Sequence, residues 1–329
     1  MSHNPHDHLF KAVFSEPENA VAHFKVCLPP ALVSELDFSK AKHMPGSWVD
    51  EALLDHHSDV AHVIPLRNAP TPDTDDADAA LVYTIWEHQS TVDGFMALRA
   101  HRYTTRLLED WSREHPGKRL PPVLVMVLYH GDAEWNAPVE LEALFALEAL
   151  SEPAQQALRP YLPKQRYLLE VVPGDPTAVR SGPGIPRMTL VALKLGRTWH
   201  SSTLIVELMP DIAVEKAKGE AGLHHIGVVV QYLLVVNPEA TPEILAEALE
   251  PMGNEVQEIP KTYGLRMIEQ GRQEGIEQGR QEGRQEGRQE GRLEALMQTA
   301  RKALAKGMSP QEVAELTELS VEQVQKLMH

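Results

Sequence analysis

What this 329-residue chain lacks sets the first limits on what it does. It has one cysteine, Cys27, which excludes an internal disulfide framework and a cysteine-based zinc centre. Cys27 falls in an apolar helical pattern and reads as an inert packing residue. No apolar run approaches the length needed to cross a bilayer, and the opening Met1-Ser2-His3-Asn4-Pro5-His6-Asp7 does not resemble a signal peptide. The expected compartment is therefore the cytoplasm. Positive charge is also short: 31 Lys and Arg stand against 47 Asp and Glu, a formal net charge of −16. That balance argues against a protein that coats nucleic acid unspecifically. A local basic groove with a bound cation remains compatible with an enzyme acting on nucleic acid. The 43% hydrophobic and 24% charged content is ordinary for a globular protein.

The most informative string is Trp86-Glu87-His88-Gln89-Ser90, which ends the apolar run Leu81-Val82-Tyr83-Thr84-Ile85. A run apolar on both faces suits a central strand buried on both sides. In a strand, residues i and i+2 share a face, so Glu87 and Gln89 should project together and His88 away from them. A buried carboxylate is costly unless it is paired or holds a cation. Asp59 closes a second strand-like region around His57 to Ile64. Two converging carboxylates with nearby backbone carbonyls are the hard oxygen ligands that Mg2+ or Mn2+ prefers.

Around these acids the punctuation implies an α/β layer with a mixed sheet. Two helices open the chain. The second has Ser15 as N-cap, Pro17 in its first turn and Glu18 completing a capping box; a short helix over 31–36 follows. Residues 68–79, with two prolines and four aspartates, read as an exposed acidic hairpin loop without calcium-loop spacing. Met96 to Glu114 is a long amphipathic helix carrying Arg99, Arg102 and Arg106 at helical spacing, able to meet phosphates or simply to form a solvated face. Val123 to Tyr129 is a further buried strand leading into His130-Gly131, and Tyr167 to Val172 another strand. Residues 188–250 are mainly helical. Of the 16 histidines, His57, His88 and His130 are placed for proton transfer or zinc binding, although most read as surface or packing residues.

The tail differs. Glycine recurs every fourth residue from Gly271 to Gly291, mostly in Arg-Gln-Glu-Gly units. Such a period drifts around a helix, and each glycine costs roughly 1 kcal/mol against alanine there. Glu and Arg two or six apart miss the supportive spacings. Residues 263–292 are thus expected to form a frayed helix or flexible spacer. Residues 293–329 carry three short helical patterns, two opened by capping boxes at Ser309 and Ser320. They fit a small helical interaction module or, less well, a helix-turn-helix.

His6-Asp7-His8-Leu9-Phe10-Lys11, Leu28-Pro29-Pro30, Pro45-Gly46-Ser47-Trp48-Val49-Asp50-Glu51, His57-Ser58-Asp59, Glu87-His88-Gln89-Ser90, the helix from Met96 to Tyr103, and Val127-Leu128-Tyr129-His130-Gly131 together resemble the Rpn family. These are bacterial recombination-promoting nucleases, also labelled transposases, of the PD-(D/E)XK nuclease superfamily. The resemblance covers most of residues 5–135, and the repeat tail also looks like that family's C-terminal region. It implies a PD-(D/E)XK-like mixed sheet flanked by helices over residues 1–262, followed by the spacer and the helical module. It also implies magnesium-dependent (or manganese-dependent) cleavage of DNA, linked to recombination, mobile elements or phage defence. Asp59 and Glu87 match the metal-binding acids, and the His88 main-chain carbonyl is a further ligand. Gln89 stands where the superfamily usually has lysine; it can orient a water by hydrogen bonds but brings no charge. Asp7, Lys11 and His130 are placed to support the site. Two alternatives stay open: a DNA-binding or assembly protein that keeps the fold without efficient catalysis, and a scaffold that oligomerises through its tail, with a protein partner for the C-terminal module.

Overall fold

The computed structural model describes residues 4–44, 60–67 and 81–327. Contacts divide the chain into two compact units, Met1–Gly264 and Leu265–His329.

The first unit opens with α1 (Pro5–Phe14), α2 (Pro17–Cys27) and α3 (Pro30–Glu35). Asn4 caps α1 by accepting from the His6 backbone N–H at 3.1 Å. The capping box expected at Ser15 is not formed. Ser15 instead terminates α1, Glu16 is the N-cap of α2, and no side chain caps that helix; with Pro17 in its first turn, one of the amides that needs capping is already absent.

Five strands follow in the order β1-β2-β3-β4-β5: β1 (Lys42–Met44), β2 (Val60–Pro65), β3 (Leu81–Gln89), β4 (Val123–Tyr129) and β5 (Leu168–Val171). β1, β2 and β3 pair antiparallel, while β3, β4 and β5 pair parallel. The sheet is therefore mixed, as the sequence pattern predicts. The parallel step from β3 to β4 needs a crossover, supplied by α4 (Met96–Glu114). After α5 (Glu152–Leu158), β5 leads into α6 (Ile185–Leu195), α7 (Ser201–Lys216), α8 (Glu220–Val236), α9 (Pro242–Ala248) and α10 (Asn254–Gln257).

Alternation along β3 sorts two cores. Tyr83 and Ile85 face α4 and pack with Ala97, Ala100, Tyr103 and Trp111. Val82 and Trp86 join a larger cluster built from α1, α2 and α6 to α8. Trp86 is its anchor: its ring lies 4.4 Å from Phe14, 5.1 Å from Phe10 and 5.3 Å from Phe24, and stacks on His23 at 4.8 Å. Cys27 is half-buried against this cluster, and burial pushes its thiol up to about 12; it is inert, as its pattern implies.

The second unit contains most of α11 (Ile259–Ala305), then α12 (Pro310–Thr317) and α13 (Val321–Lys326). The repeat segment is helical throughout. Two of its units have Glu one place earlier than the Arg-Gln-Glu-Gly pattern, which creates i,i+3 ion pairs, Glu269–Arg272 at 2.7 Å and Glu277–Arg280 at 3.0 Å. The spacing argument overlooked these pairs, though exposed pairs of this kind contribute little. A small core of Ala300, Ala303, Val313, Leu319 and Val324 closes the end, with both capping boxes formed. No helix among the described residues is long and apolar enough to cross a membrane.

Candidate active site at the end of the central strand

The last three residues of β3 send chemistry to both faces of the sheet. On the α4 face, Glu87 and Gln89 project together, and Gln89 Nε2 donates to Glu87 Oε1 at 2.6 Å. Arg99, one turn into α4, donates from Nη2 to the same Glu87 oxygen and, at 3.1 Å, to the Tyr103 hydroxyl. Its Nη1 donates to Asp93 Oδ2 at 2.9 Å. Glu87 is fully buried. Burial drives its carboxyl up, to about 7, against the opposing pull of Arg99, Gln89 and Tyr103. Arg99 stays charged: burial works against it, but Glu87 outweighs that cost.

On the opposite face, the His88 ring stacks on His130 at 4.6 Å and on Phe10 at 5.2 Å, and its Nδ1 lies 3.4 Å from Asp7 Oδ1. His130 Nδ1 is 2.9 Å from the Leu193 carbonyl oxygen. That oxygen only accepts, so Nδ1 carries the proton. Burial, then the charges that His88 and His6 would carry, hold His130 down to about 2. Burial likewise lowers His88, with Asp7 opposing. Both imidazoles are neutral at pH 7. Gly131 follows because a side chain there would run into the Ser90 main-chain oxygen and the Tyr129 ring.

The residues singled out from sequence thus separate. Glu87, Gln89 and Arg99 come together, whereas Asp7, the His88 side chain and His130 meet behind the sheet. Lys11 is half-buried in the last turn of α1. Arg102 is exposed on α4, and Arg106 lies 3.7 Å from Asp110. Asp59 and His57 fall outside the described residues, as do Trp48 and the acidic stretch 68–79. Val60, the residue after Asp59, pairs with Trp86, the residue before Glu87. For a divalent cation the donor chemistry is suitable on one side: Glu87 Oε2 is buried with no hydrogen-bond partner among the described residues. No group of three or more His, Cys, Asp or Glu able to hold a metal occurs among those residues.

Residues 4–176 match the family described as "Putative transposase, YhgA-like", a stretch that takes in all five strands. The chain belongs to that family. Among the curated proteins similar to it is recombination-promoting nuclease RpnD of Escherichia coli O157:H7, 32% identical over 127 residues, 39% of this chain and 45% of that protein. From Escherichia coli K12, recombination-promoting nuclease RpnA is 28% identical over 130 residues, 40% of this chain and 41% of the relative. The inactive recombination-promoting nuclease-like protein RpnE of the same strain is 30% identical over 132 residues, 39% and 40% of the two chains. The chain spans less than half the length of these relatives. No solved structure matches it. The proteins similar to this chain thus include some named as nucleases and one named as inactive, and the family match ends at Pro176, before α6.

Sequence reasoning missed Tyr103 and Asp93, which hold Arg99, although both lie within one turn or loop of it. It also missed that Arg99 serves Glu87. The signal was available: an arginine in the first turn of the crossover helix directly after a strand ending in a buried acid.

Proposed function

We propose that the α/β unit is a divalent-metal-dependent DNA endonuclease of the PD-(D/E)XK type, acting in recombination of mobile DNA or in phage defence. The observation that supports it most is the Glu87 carboxylate: buried at the end of the central strand, oriented by Gln89 and Arg99, with Oε2 bare of any described partner. Mg2+ or Mn2+ would be held by Glu87 and Asp59, with the His88 carbonyl as a further oxygen. Such an ion supplies charge for the phosphoryl oxygens and acidifies water. Gln89 orients and does not deprotonate, since an amide has no proton to take up near neutrality. Arg99 opposes the burial that raises the carboxyl, and aims it. Arg102 and Arg106 would meet backbone phosphates.

The test is nicking of supercoiled plasmid by the full chain with Mg2+, Mn2+ or Ca2+, beside Asp59→Ala and Glu87→Gln, each checked for folding by circular dichroism. Metal-dependent nicking lost in both variants is the expected result; nicking that persists in both overturns the reading. The Arg99–Glu87 ion pair also favours a second reading, a DNA-binding or assembly protein of low activity, because it occupies one of the two oxygens a metal would use. Intact plasmid that shifts on a gel would select it. For the second unit, an exposed helix ending in a three-helix core, we propose a protein-interaction or self-association role. Light scattering of the chain truncated at Arg266 tests this: an unchanged mass counts against it.

A further inference from the structure

A cavity of about 320 Å³ opens where β3 and β4 end, beside Ser90 and Gly131. Its volume sits at the small end of the ~300–1,000 Å³ range of ligand pockets, room for one nucleotide. Its far wall is Lys194 at the end of α6 and the following Arg197 and Thr198, residues beyond the family-matched stretch.

Two features say what chemistry fits. The first is charge. Lys194 is partly neutralised, donating to the Gly131 carbonyl at 2.6 Å and lying 3.6 Å from Asp132. Arg197 is exposed and has no carboxylate partner among the described residues. Its charge reaches inward: after burial and His88, it is a cause of the lowered basicity of His6, which also lines the cavity. In a chain of net charge −16, an uncompensated guanidinium at a cavity with three hydroxyl side chains, Ser90, Thr91 and Thr198, suits a phosphate. The second feature is His130, only 5% exposed. With its Nδ1 proton committed to Leu193, the neutral ring presents Nε2 as a bare acceptor, and that atom has no partner among the described residues. A buried acceptor left alone is destabilising. A phosphate oxygen cannot satisfy it; a hydroxyl can. Within DNA, a phosphate and a free hydroxyl occur on one unit only at a strand end.

We propose that this cavity seats the 3′-terminal nucleotide of a DNA strand, its phosphate meeting Arg197, Ser90 and Thr198 and its 3′-hydroxyl donating to His130 Nε2. This rests on the reading that the protein acts on DNA. Ser90 directly follows Gln89, so the end is held beside the candidate active site. A strand cut to leave a 3′-hydroxyl would supply such an end.

The experiment measures fluorescence anisotropy of a 5′-labelled 12-nucleotide single strand with the full chain in EDTA, so that cleavage plays no part. Strands ending in 3′-hydroxyl, in a 2′,3′-dideoxy residue and in RNA of the same sequence are compared over a salt series. The 3′-hydroxyl DNA is expected to bind about tenfold tighter than the dideoxy strand, the effect of one buried hydrogen bond. His130→Phe, which keeps a ring to stack on His88, should abolish that preference. Arg197→Ala should weaken both strands and reduce the salt slope by about 0.7, one phosphate contact on a single strand. Lys164→Ala, which removes an exposed charge outside the cavity, is the control. Equal affinity for the two DNA ends overturns the proposal, as does an Arg197→Ala effect no larger than that of Lys164→Ala. Tighter binding of RNA than of 3′-hydroxyl DNA makes a 2′-hydroxyl the donor and also overturns it. A chain that discriminates the ends but never nicks plasmid leaves this inference standing and removes the nuclease reading; nicking without discrimination does the reverse.

Discussion

The two faces of β3 bury polar groups by opposite means. On the α4 face a carboxylate is kept in place by charge: Arg99, Gln89 and Tyr103 converge on Glu87. On the α1 face, imidazoles are buried by giving up charge, stacked on one another and on Phe10. The lesson is that burial does not select a polarity; it selects whichever ionisation state the local partners make affordable. One face keeps a buried acid beside a guanidinium, and the other keeps neutral imidazoles packed on one another.

The most severe way to break this contrast is to remove the charge that holds Glu87. Arg99→Ala leaves a buried carboxylate uncompensated and should lower stability in urea unfolding by about 3–5 kcal/mol. The charge-on-charge picture fails if Arg99→Ala costs no more than Arg113→Ala on the exposed side of α4.

The pH dependence of the unfolding midpoint sharpens the same comparison, because the two faces have opposite signs. His130 is held down from 6.5 to about 2. Below about pH 6.5 the unfolded chain binds a proton that the folded chain refuses, so stability is full above that pH and is lost steadily as the medium is acidified. His130→Phe should flatten this acid limb. Glu87 is raised from 4.5 to about 7. Between those values the folded state binds more protons than the unfolded one, so its contribution is present below pH 4.5 and lost as pH rises through about 7. Glu87→Gln should remove that decline. A wild-type profile unchanged by both variants would mean neither group is buried in solution.

The smallest expected effect lies in the other unit. A Cβ added at Gly279, Gly283 or Gly287 meets nothing within 4 Å. Alanine at each should raise helicity by circular dichroism and add at most about 1 kcal/mol per site. A loss of helicity or of self-association would instead mean that the glycines pack against another chain.

Much of this molecule was legible in order. β3, α4 and β4 were readable because a run apolar on both faces, then a 3.6-residue pattern, then another apolar run leave few alternatives. The facing of Glu87 and Gln89 followed from the two-residue period of a strand. The ion pairs of the helical repeat were not foreseen because the regular spacing was weighed while Glu269 and Glu277, set one place out of register, were passed over. Ser15 failed as a cap because proline and the turn after α1 decided the boundary instead.

By itself the sequence determined which residues share a strand face and which helix must cross over to reach β4, because these depend only on neighbours a few positions away. Only the tertiary structure decided that Arg99 would serve Glu87, that Asp7 and His130 would lie behind the sheet, and that Arg197, more than 60 residues beyond His130, would join it at one cavity. Those pairings depend on which elements pack together, a matter of burying apolar area across the whole unit, and short-range periodicity carries no record of it.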